Sequence, residues 1–323
     1  MPDTLNSIAV LTSGGDAPGM NAAIRAVVRK GIFHNLKVYG IKRGYEGLIH
    51  GEFREMSLGS VADIVHRGGT VLMTARTEEM KTPEGQQKAR EQLKMRGIDG
   101  LIVIGGDGSF RGALALSAQG VKVIGIPGTI DNDIAGTDLT IGFDTAVNTV
   151  VDAVSKIRDT ATSHERTFIV EVMGRNCGSI ALQAGVACGA ESILVPEIPF
   201  DLEDIILKLR RGHRRGKNHS IILAAEGAAS AYKLAEELHA HSGFDTRVTI
   251  LGHLQRGGNP SALDGVIASA MGGKAVELLL AGKSEMMTAY VNQEVTEVPL
   301  NAAFAPKRPF NRKLYELAQE LAI

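Results

Sequence analysis

Pro127-Gly128-Thr129-Ile130-Asp131-Asn132-Asp133 follows directly on the apolar run Val121-Lys122-Val123-Ile124-Gly125-Ile126, and the reading of this stretch decides the fold. A β-rich run that ends in Gly, Pro and Asp is a buried strand leaving a sheet at its carboxyl end, where open α/β sheets bind ligands. Two carboxylates two residues apart then project from a constrained loop. Such a pair can divide labour, one accepting a proton and the other serving Mg2+ or its water shell, when their surroundings push their pKa values apart. The same letters also spell an Asx-rich turn, in which Asp and Asn bond their own backbone. The flanking sequence has to decide between the two.

Immediately upstream, Gly100-Leu101-Ile102-Val103-Ile104 is a continuous apolar run, as expected of a strand covered on both faces. It ends in Gly105-Gly106-Asp107-Gly108-Ser109, with a helix expected from near Phe110. Glycines let a backbone press against phosphates, Asp107 can hold Mg2+ directly or through water, and Ser109 stands at the helix start. The pattern occurs in several kinase types, so it indicates phosphoryl transfer better than it indicates the acceptor.

At the N-terminus, Ser7 to Leu11 reads as a strand, followed by Thr12-Ser13-Gly14-Gly15-Asp16-Ala17-Pro18-Gly19 and a helix from about Asn21. Strand, glycine turn and helix start suit an anion, because the free N–H groups and the helix dipole face it. Ile24, Val27, Val28 and Ile32 mark the buried stripe of that helix, with Arg25 and Arg29 one turn apart on another face. Val38 to Ile41 is the next strand. Arg43-Gly44-Tyr45-Glu46-Gly47 reads as a glycine-spaced loop whose tyrosine either flanks a base or packs. Beyond Arg67-Gly68-Gly69-Thr70 and Thr74-Ala75-Arg76-Thr77, the charged run Glu84 to Arg96 reads as a surface helix with Leu93 facing inward.

Downstream of Asp133, Val147, Val150, Val151, Val154 and Ile157 recur at spacings of three and four and predict one helix with a single buried stripe, with Arg158 near its end. A second strand and helix series follows at Phe168 to Met173, Ser192 to Pro196 and Ser220 to Glu226, which implies a second parallel sheet. Arg210 to Lys217 is a basic run at a helix end. Arg247 precedes Ile250 and Leu251, another strand end, followed by Gly252-His253-Leu254-Gln255-Arg256-Gly257-Gly258.

The bulk numbers agree with this organisation. A chain of 323 residues is too long for one ordinary core, so two domains are expected. With 35 Lys and Arg against 36 Asp and Glu, the formal charge of -1 gives no electrostatic case for nucleic acid. Only Cys177 and Cys188 occur, without C-x-x-C spacing, which argues against a disulfide framework or a zinc knuckle and fits a reducing cytoplasm. No apolar run approaches the ~18 residues of a membrane span, so a cytoplasmic protein is expected. Glycine, at 38 residues, clusters just after apolar runs, where a backbone approaches a ligand.

Taken in order, Thr12-Ser13-Gly14-Gly15-Asp16, Gly105-Gly106-Asp107-Gly108-Ser109, Pro127 to Asp133, Val172-Met173-Gly174-Arg175 and Gly252 to Gly258 resemble the bacterial ATP-dependent 6-phosphofructokinase family. The match runs from about Ser7 to Gly282 and reappears at Lys307-Arg308-Pro309-Phe310. The resemblance implies two Rossmann-like α/β domains with mainly parallel sheets. Residues 1-142 plus 255-305 would form the larger, ATP-binding domain, and 143-254 plus 306-323 the smaller, sugar-phosphate-binding one. It also implies a homotetramer.

The same resemblance implies a role for each site residue. Gly15, Arg76, Thr77 and the segment Gly106, Asp107, Gly108 and Ser109 would hold ATP, with Asp107 on Mg2+. Asp131 would take the proton from the 1-hydroxyl of fructose 6-phosphate, with Thr129 and Asp133 beside it, while Arg76 and Arg175 neutralise the transferring phosphoryl group. Met173, Gly174, Glu226, His253 and Arg256 would hold the sugar. Arg166 and Arg247 would reach its 6-phosphate from a neighbouring subunit. Arg25, Arg29, Asp63, Arg158, Glu191, Arg215, Lys217 and His219 would form a site between subunits for an activating ADP or GDP and an inhibitory phosphoenolpyruvate. The chain departs at Leu58, where some relatives place a basic residue. Pyrophosphate-using relatives typically carry Asp and Lys where this chain has Gly108 and Gly128, so ATP is the expected donor. A pyrophosphate-dependent enzyme, another G-G-D-G kinase and a binding protein that has lost catalysis are the alternatives; the presence of both Asp107 and Asp131 argues against the last.

Overall fold

In the computed structural model, which describes residues 5–306 and 310–322, apolar runs and amphipathic stripes alternate as strands and helices. Lys307, Arg308 and Pro309 of the last matched motif lie outside the described residues. In chain order the elements are β1 (Ser7–Thr12), α1 (Met20–Phe33), β2 (Lys37–Ile41), α2 (Gly44–His50), β3 (Phe53–Glu55), α3 (Pro83–Met95), β4 (Gly100–Gly105), α4 (Asp107–Ser117), β5 (Lys122–Pro127) and α5 (Phe143–His164). There follow β6 (Thr167–Val172), α6 (Ser179–Cys188), β7 (Ser192–Leu194), α7 (Leu202–Arg214), β8 (Ser220–Ala225), α8 (Ala231–Ser242) and β9 (Thr246–Ile250). The last elements are α9 (Ala262–Leu280), β10 (Met286–Val291), β11 (Glu294–Pro299) and α10 (Arg312–Leu321). The chain divides into two units, one running to Asp144 and resuming at Arg256, the other comprising Thr145–Gln255 and the C-terminal helix.

The first unit is built on a seven-stranded sheet of order β11-β10-β5-β4-β1-β2-β3. Its central strands β1, β4 and β5 are parallel, with Thr12 opposite Ile104 and Gly105 opposite Pro127. All of β1 and β4 is buried, as unbroken Val, Ile and Leu runs require when helices cover both faces. From β1 the chain goes to β2 and β3 on one side, then crosses to β4 and β5 on the other. The order therefore reverses between β1 and β4, the kind of crevice in which open α/β sheets take their ligands. Two antiparallel additions were not legible in the sequence: β3 on β2, and the β10–β11 hairpin, whose Met286 and Met287 pair with Ile124 and Gly125 of β5. Leu11, Leu48, Leu101, Phe110 and Met287 share one core.

Two expectations are corrected here. Gly44 to Gly47 is not a loop but the start of α2, in which Tyr45, Leu48 and Ile49 are buried. Tyr45 packs: its hydroxyl donates to the Ser109 carbonyl at 2.6 Å, and burial pushes its pKa up. Likewise α4 begins at Asp107 rather than Phe110. Burying Phe110 and Leu116 contributes about 4 kcal/mol, more than the ~2 kcal/mol that Gly108 and Gly112 together cost relative to alanine. Gly112 has no alternative, since a Cβ there would stand 2.7 Å from the Tyr45 ring.

The second unit carries a four-stranded, wholly parallel sheet of order β7-β8-β6-β9. Ile169, Ile205, Leu209, Ile222 and Leu234 are among its core. Arg247 lies inside β9, opposite Phe168 of β6, rather than ahead of the strand. No residue of this edge strand is fully buried, although Val248 packs against the core, so Thr-Arg-Val-Thr-Ile carries too little apolar signal to mark its start.

Candidate active site

In the first unit, three turns leave neighbouring parallel strands at the same edge of the sheet. Ser13 N donates to Ile104 O at 3.0 Å and Gly128 N to Gly105 O at 3.0 Å, so the pairing runs past the strand ends into the turns. The glycine turn after β1, the Gly105–Ser109 segment after β4 and the Pro127–Asp133 loop after β5 are thereby set side by side. A Cβ at Gly105 would meet Ser13 O at 2.4 Å and Ser109 Oγ at 2.5 Å, so only glycine lets the first two turns close. Around Gly106 and Gly108 a Cβ would meet nothing within 4 Å. Open space thus lies over the first turn of α4, whose N–H groups and dipole favour an anion, with Asp107 exposed as its first residue. Gly128 differs: a Cβ there would point into Ile104 and Met20 at 3.1 Å, so only Gly108 leaves room on the ligand side.

The Asp-Asn-Asp stretch resolves the ambiguity of its sequence. The Asx chemistry belongs to Asn132, in the left-handed region at φ 52°. Its Nδ2 donates to Asp138 O at 3.1 Å, while its Oδ1 accepts from Thr140 N at 2.9 Å and from Thr140 Oγ1 at 3.2 Å. Thr140 Oγ1 has a single proton, shared between that contact and the shorter one to Thr129 O at 2.6 Å, and Thr129 Oγ1 accepts from Asp131 N at 3.2 Å. With Asn132 tying the loop, Asp131 is held at 2% exposure and Asp133 half-buried.

Arg76 is exposed and Thr77 half-buried on a long loop that is pinned by residues the sequence did not single out. Buried Asn21 donates to Arg67 O and Gly69 O, both at 2.9 Å, and accepts from Val71 N at 2.8 Å. Thr12 Oγ1 donates to Met73 O at 2.8 Å, and Thr74 Oγ1 to Gly14 O at 2.7 Å, fastening the loop to the glycine turn. Arg256 Nη1 donates to Asp16 O at 3.1 Å, and a Cβ at Gly15 would stand 2.5 Å from it. Two residues expected to serve different ligands therefore touch.

In the second unit, Met173, Gly174 and Arg175 follow the carboxyl end of β6, and Glu226 follows that of its neighbour β8. Arg175, at φ 51°, donates its backbone N–H to Glu226 Oε1 at 2.8 Å. Gln255 was not foreseen: wholly buried, it accepts from Met173 N at 3.2 Å and donates to Gly252 O at 3.1 Å, fixing the turn that carries exposed His253 to the end of β6. Arg166 and Arg247 stand at the other end of the same sheet, where Arg166 Nε and Arg247 Nη2 both donate to Asp245 Oδ2, at 3.1 and 3.2 Å. The five residues at the carboxyl end and these two arginines are separate groups within one chain.

A further cleft in this unit is lined by Gly189, Glu191, Arg215, Lys217, Leu321 and Ala322, among others. Glu191 is buried and paired with Lys217, and it accepts from Ile221 N. Arg158 donates to Cys188 O beside it. His219 contacts Thr162 Oγ1 at 3.3 Å; burial lowers its pKa while the Glu191 charge raises it. Arg25 and Arg29 on α1, and Asp63, belong to the first unit. Cys177 is buried and Cys188 half-buried, its thiol pushed up by burial.

Among the described residues, no group of three or more His, Cys, Asp or Glu is arranged to hold a metal, and no helix is long and apolar enough to cross a membrane. The exposed carboxylate of Asp107 beside two open glycines suits Mg2+ delivered with phosphates, since Mg2+ keeps several waters and needs only one or two carboxylates.

Comparison with known proteins follows the same lines. The chain is 58% identical over 319 residues to ATP-dependent 6-phosphofructokinase of Bacillus thuringiensis, covering 99% of this chain and 100% of the relative. Phosphofructokinase of Pichia pastoris in the T-state superposes with a TM-score of 0.88 at 37% identity over 98% of this chain, which spans only 38% of that longer chain. Pyrophosphate-dependent phosphofructokinase of Marinobacter aquaeolei gives 0.87 at 25% identity, over 95% of this chain and 86% of that one. With the phosphofructokinase family model matching residues 7–279, across both of the units just described, this chain belongs to the phosphofructokinase family.

Proposed function

We propose that the chain is the kinase that transfers the γ-phosphoryl group of ATP to the 1-hydroxyl of fructose 6-phosphate, giving fructose 1,6-bisphosphate and ADP in glycolysis. The observation that carries this reading is the 58% identity, end to end, with relatives named for ATP-dependent 6-phosphofructokinase activity. The open space at Gly108 favours ATP over pyrophosphate, because no side chain fills the space around that position, where a nucleotide needs more room than pyrophosphate does.

In this reading the first unit supplies the nucleotide site. Gly15, Arg76, Thr77 and Gly106 to Ser109 hold ATP, the start of α4 facing its phosphates. Asp107 holds Mg2+, which when bound neutralises charge on the phosphates. Asp131, fixed by the Asn132 bonds, accepts the proton of the 1-hydroxyl as that oxygen attacks phosphorus, while Thr129 and Asp133 shape the loop around it. Arg76 and Arg175 offset the charge on the transferring group, in a reaction whose catalysis is largely positioning and electrostatics. Met173, Gly174, Glu226, His253 and Arg256 hold the sugar. Arg166 and Arg247, at the far end of the second unit's sheet, serve the 6-phosphate bound by a neighbouring copy, so the active assembly is a homotetramer. The cleft at Glu191, Arg215 and Lys217, with Arg158 and His219, and Arg25, Arg29 and Asp63 of an adjoining subunit, takes ADP or GDP as activator and phosphoenolpyruvate as inhibitor. A cytoplasmic location fits a glycolytic substrate and a chain of only two cysteines without C-x-x-C spacing.

The test is direct. Purified protein with Mg2+, ATP and fructose 6-phosphate should release ADP at a rate that depends on the sugar. Sugar-independent release refutes the acceptor, and equal or faster turnover with pyrophosphate refutes the donor.

A further inference from the structure

Arg166 and Arg247 converge on one oxygen of Asp245, and the setting of that contact suggests what it is for. Arg166 precedes β6 by one residue and Arg247 is the second residue of β9, whose register puts it opposite Phe168. Thr167 N donates to Asp245 O at 3.4 Å, so the backbone fixes Asp245 where these two strands begin. The side chains of Arg166, Arg247 and Asp245 are 35%, 49% and 56% exposed. Ion pairs that exposed add little to fold stability, and one carboxylate shared by two cations leaves a net positive charge. Each guanidinium spends a single donor on Asp245, Nε from Arg166 and Nη2 from Arg247. A guanidinium has five N–H donors, so most of both forks stays available to a tetrahedral anion.

We infer that Asp245 is a positioning residue: it holds two mutually repelling guanidinium groups together as one phosphate-recognition pair. This rests on the reading that Arg166 and Arg247 take the sugar's 6-phosphate. Preorganisation removes the cost of ordering two long side chains at the moment of binding. Coulomb's law alone predicts the opposite role, since a carboxylate beside a phosphate repels it. The two views therefore differ in sign.

Steady-state kinetics on the assembled enzyme decide between them. Asp245→Asn keeps the shape but removes the charge that holds the pair. It should raise KM for fructose 6-phosphate roughly three- to tenfold, with kcat and the KM for ATP within twofold. In an Arg247→Ala background the same substitution should have a much smaller effect, because the pair it organises no longer exists. Asp245→Glu should restore most of the affinity. An unchanged or lowered KM in Asp245→Asn overturns the inference, as does an increase that persists undiminished in the Arg247→Ala background. If Arg247→Ala by itself leaves the KM for fructose 6-phosphate unaltered, the phosphate assignment fails instead, and the two failures are told apart.

Discussion

Asn132 offers the sharpest test of how the carboxylate loop works, because it bonds the loop without being assigned to any ligand. Asn132→Ala removes the acceptor of the Thr140 N–H, in a residue only 1% exposed, at a cost of about 1–3 kcal/mol. It also removes the donor to Asp138 O, about 1 kcal/mol, and places alanine at φ 52°, about 1 kcal/mol more. Thr140 Oγ1 keeps its bond to Thr129 O, so no further loss is counted there. The sum is about 3–5 kcal/mol. Asn132→Gly suffers the first two losses but is at ease at positive φ, so it should be milder by about 1 kcal/mol. Expressed as loss of loop order, such energies lower kcat by roughly 10²-fold or more for alanine and about fivefold less for glycine. The assay is kcat for ADP release at saturating substrates, alongside a thermal melt. If Asn132→Ala lowers the melting temperature while kcat stays within twofold, the loop bonds are not what positions Asp131. Equal effects of Ala and Gly would remove the backbone contribution.

Three further outcomes are expected. Asp131→Asn should lower kcat by roughly 10²–10⁴-fold with far smaller changes in KM, because a positioned base acts mainly in the transition state; a variant keeping more than about a tenth of wild-type kcat refutes that role. His219 should titrate by NMR below the ordinary histidine value of about 6.5, and Glu191→Gln should lower it further, since burial depresses this pKa and the Glu191 charge partly restores it. With its folded pKa below its unfolded one, His219 costs no stability above about pH 6.5 and progressively more as pH falls toward the folded value. Phosphoenolpyruvate should shift the fructose 6-phosphate saturation curve of the wild type and leave that of Arg158→Ala in place; an equally inhibited variant makes the basic cluster a solvated surface.

Much of the fold was legible because buried parallel strands announce themselves. Unbroken runs such as Leu101 to Ile104 and Ile221 to Ala225 have few other structures open to them, and the glycine turns that follow mark the strand ends. The misreadings have physical causes. Gly44-Tyr45-Glu46-Gly47 has the composition of a loop, yet it is helical because Tyr45, Leu48 and Ile49 find a core that lies far away in sequence. The strands β9, β10 and β11 mix polar with apolar residues and are defined by their neighbours. At the site, the groups expected to meet ligands were readable as motifs, whereas those that hold them in place were not. Asn132 was legible only as one letter of an Asx-rich turn, whereas Asn21, Gln255 and Asp245 act through bonds to backbone or to other side chains, and nothing in their own letters separates them from ordinary surface or core polar residues.

The hairpin at the end of the first unit's sheet has a consequence for how the protein is made. β10 pairs with β5 across a gap of about 160 residues, because Thr145–Gln255 of the second unit and α9 are threaded between them. At a ribosomal rate of about 5–20 residues per second, that gap lasts roughly 8–30 s. During it Lys122 to Pro127 presents an unpaired, apolar strand edge, the kind of template on which nascent chains stick to one another. α1 waits longer still for α9, which packs so closely that a Cβ at Gly272 would meet Ala23 O at 2.6 Å. The emerging chain therefore needs either a chaperone or fast synthesis through β10. Synonymous changes that slow translation between Phe143 and Met287 should lower soluble yield without altering a single residue.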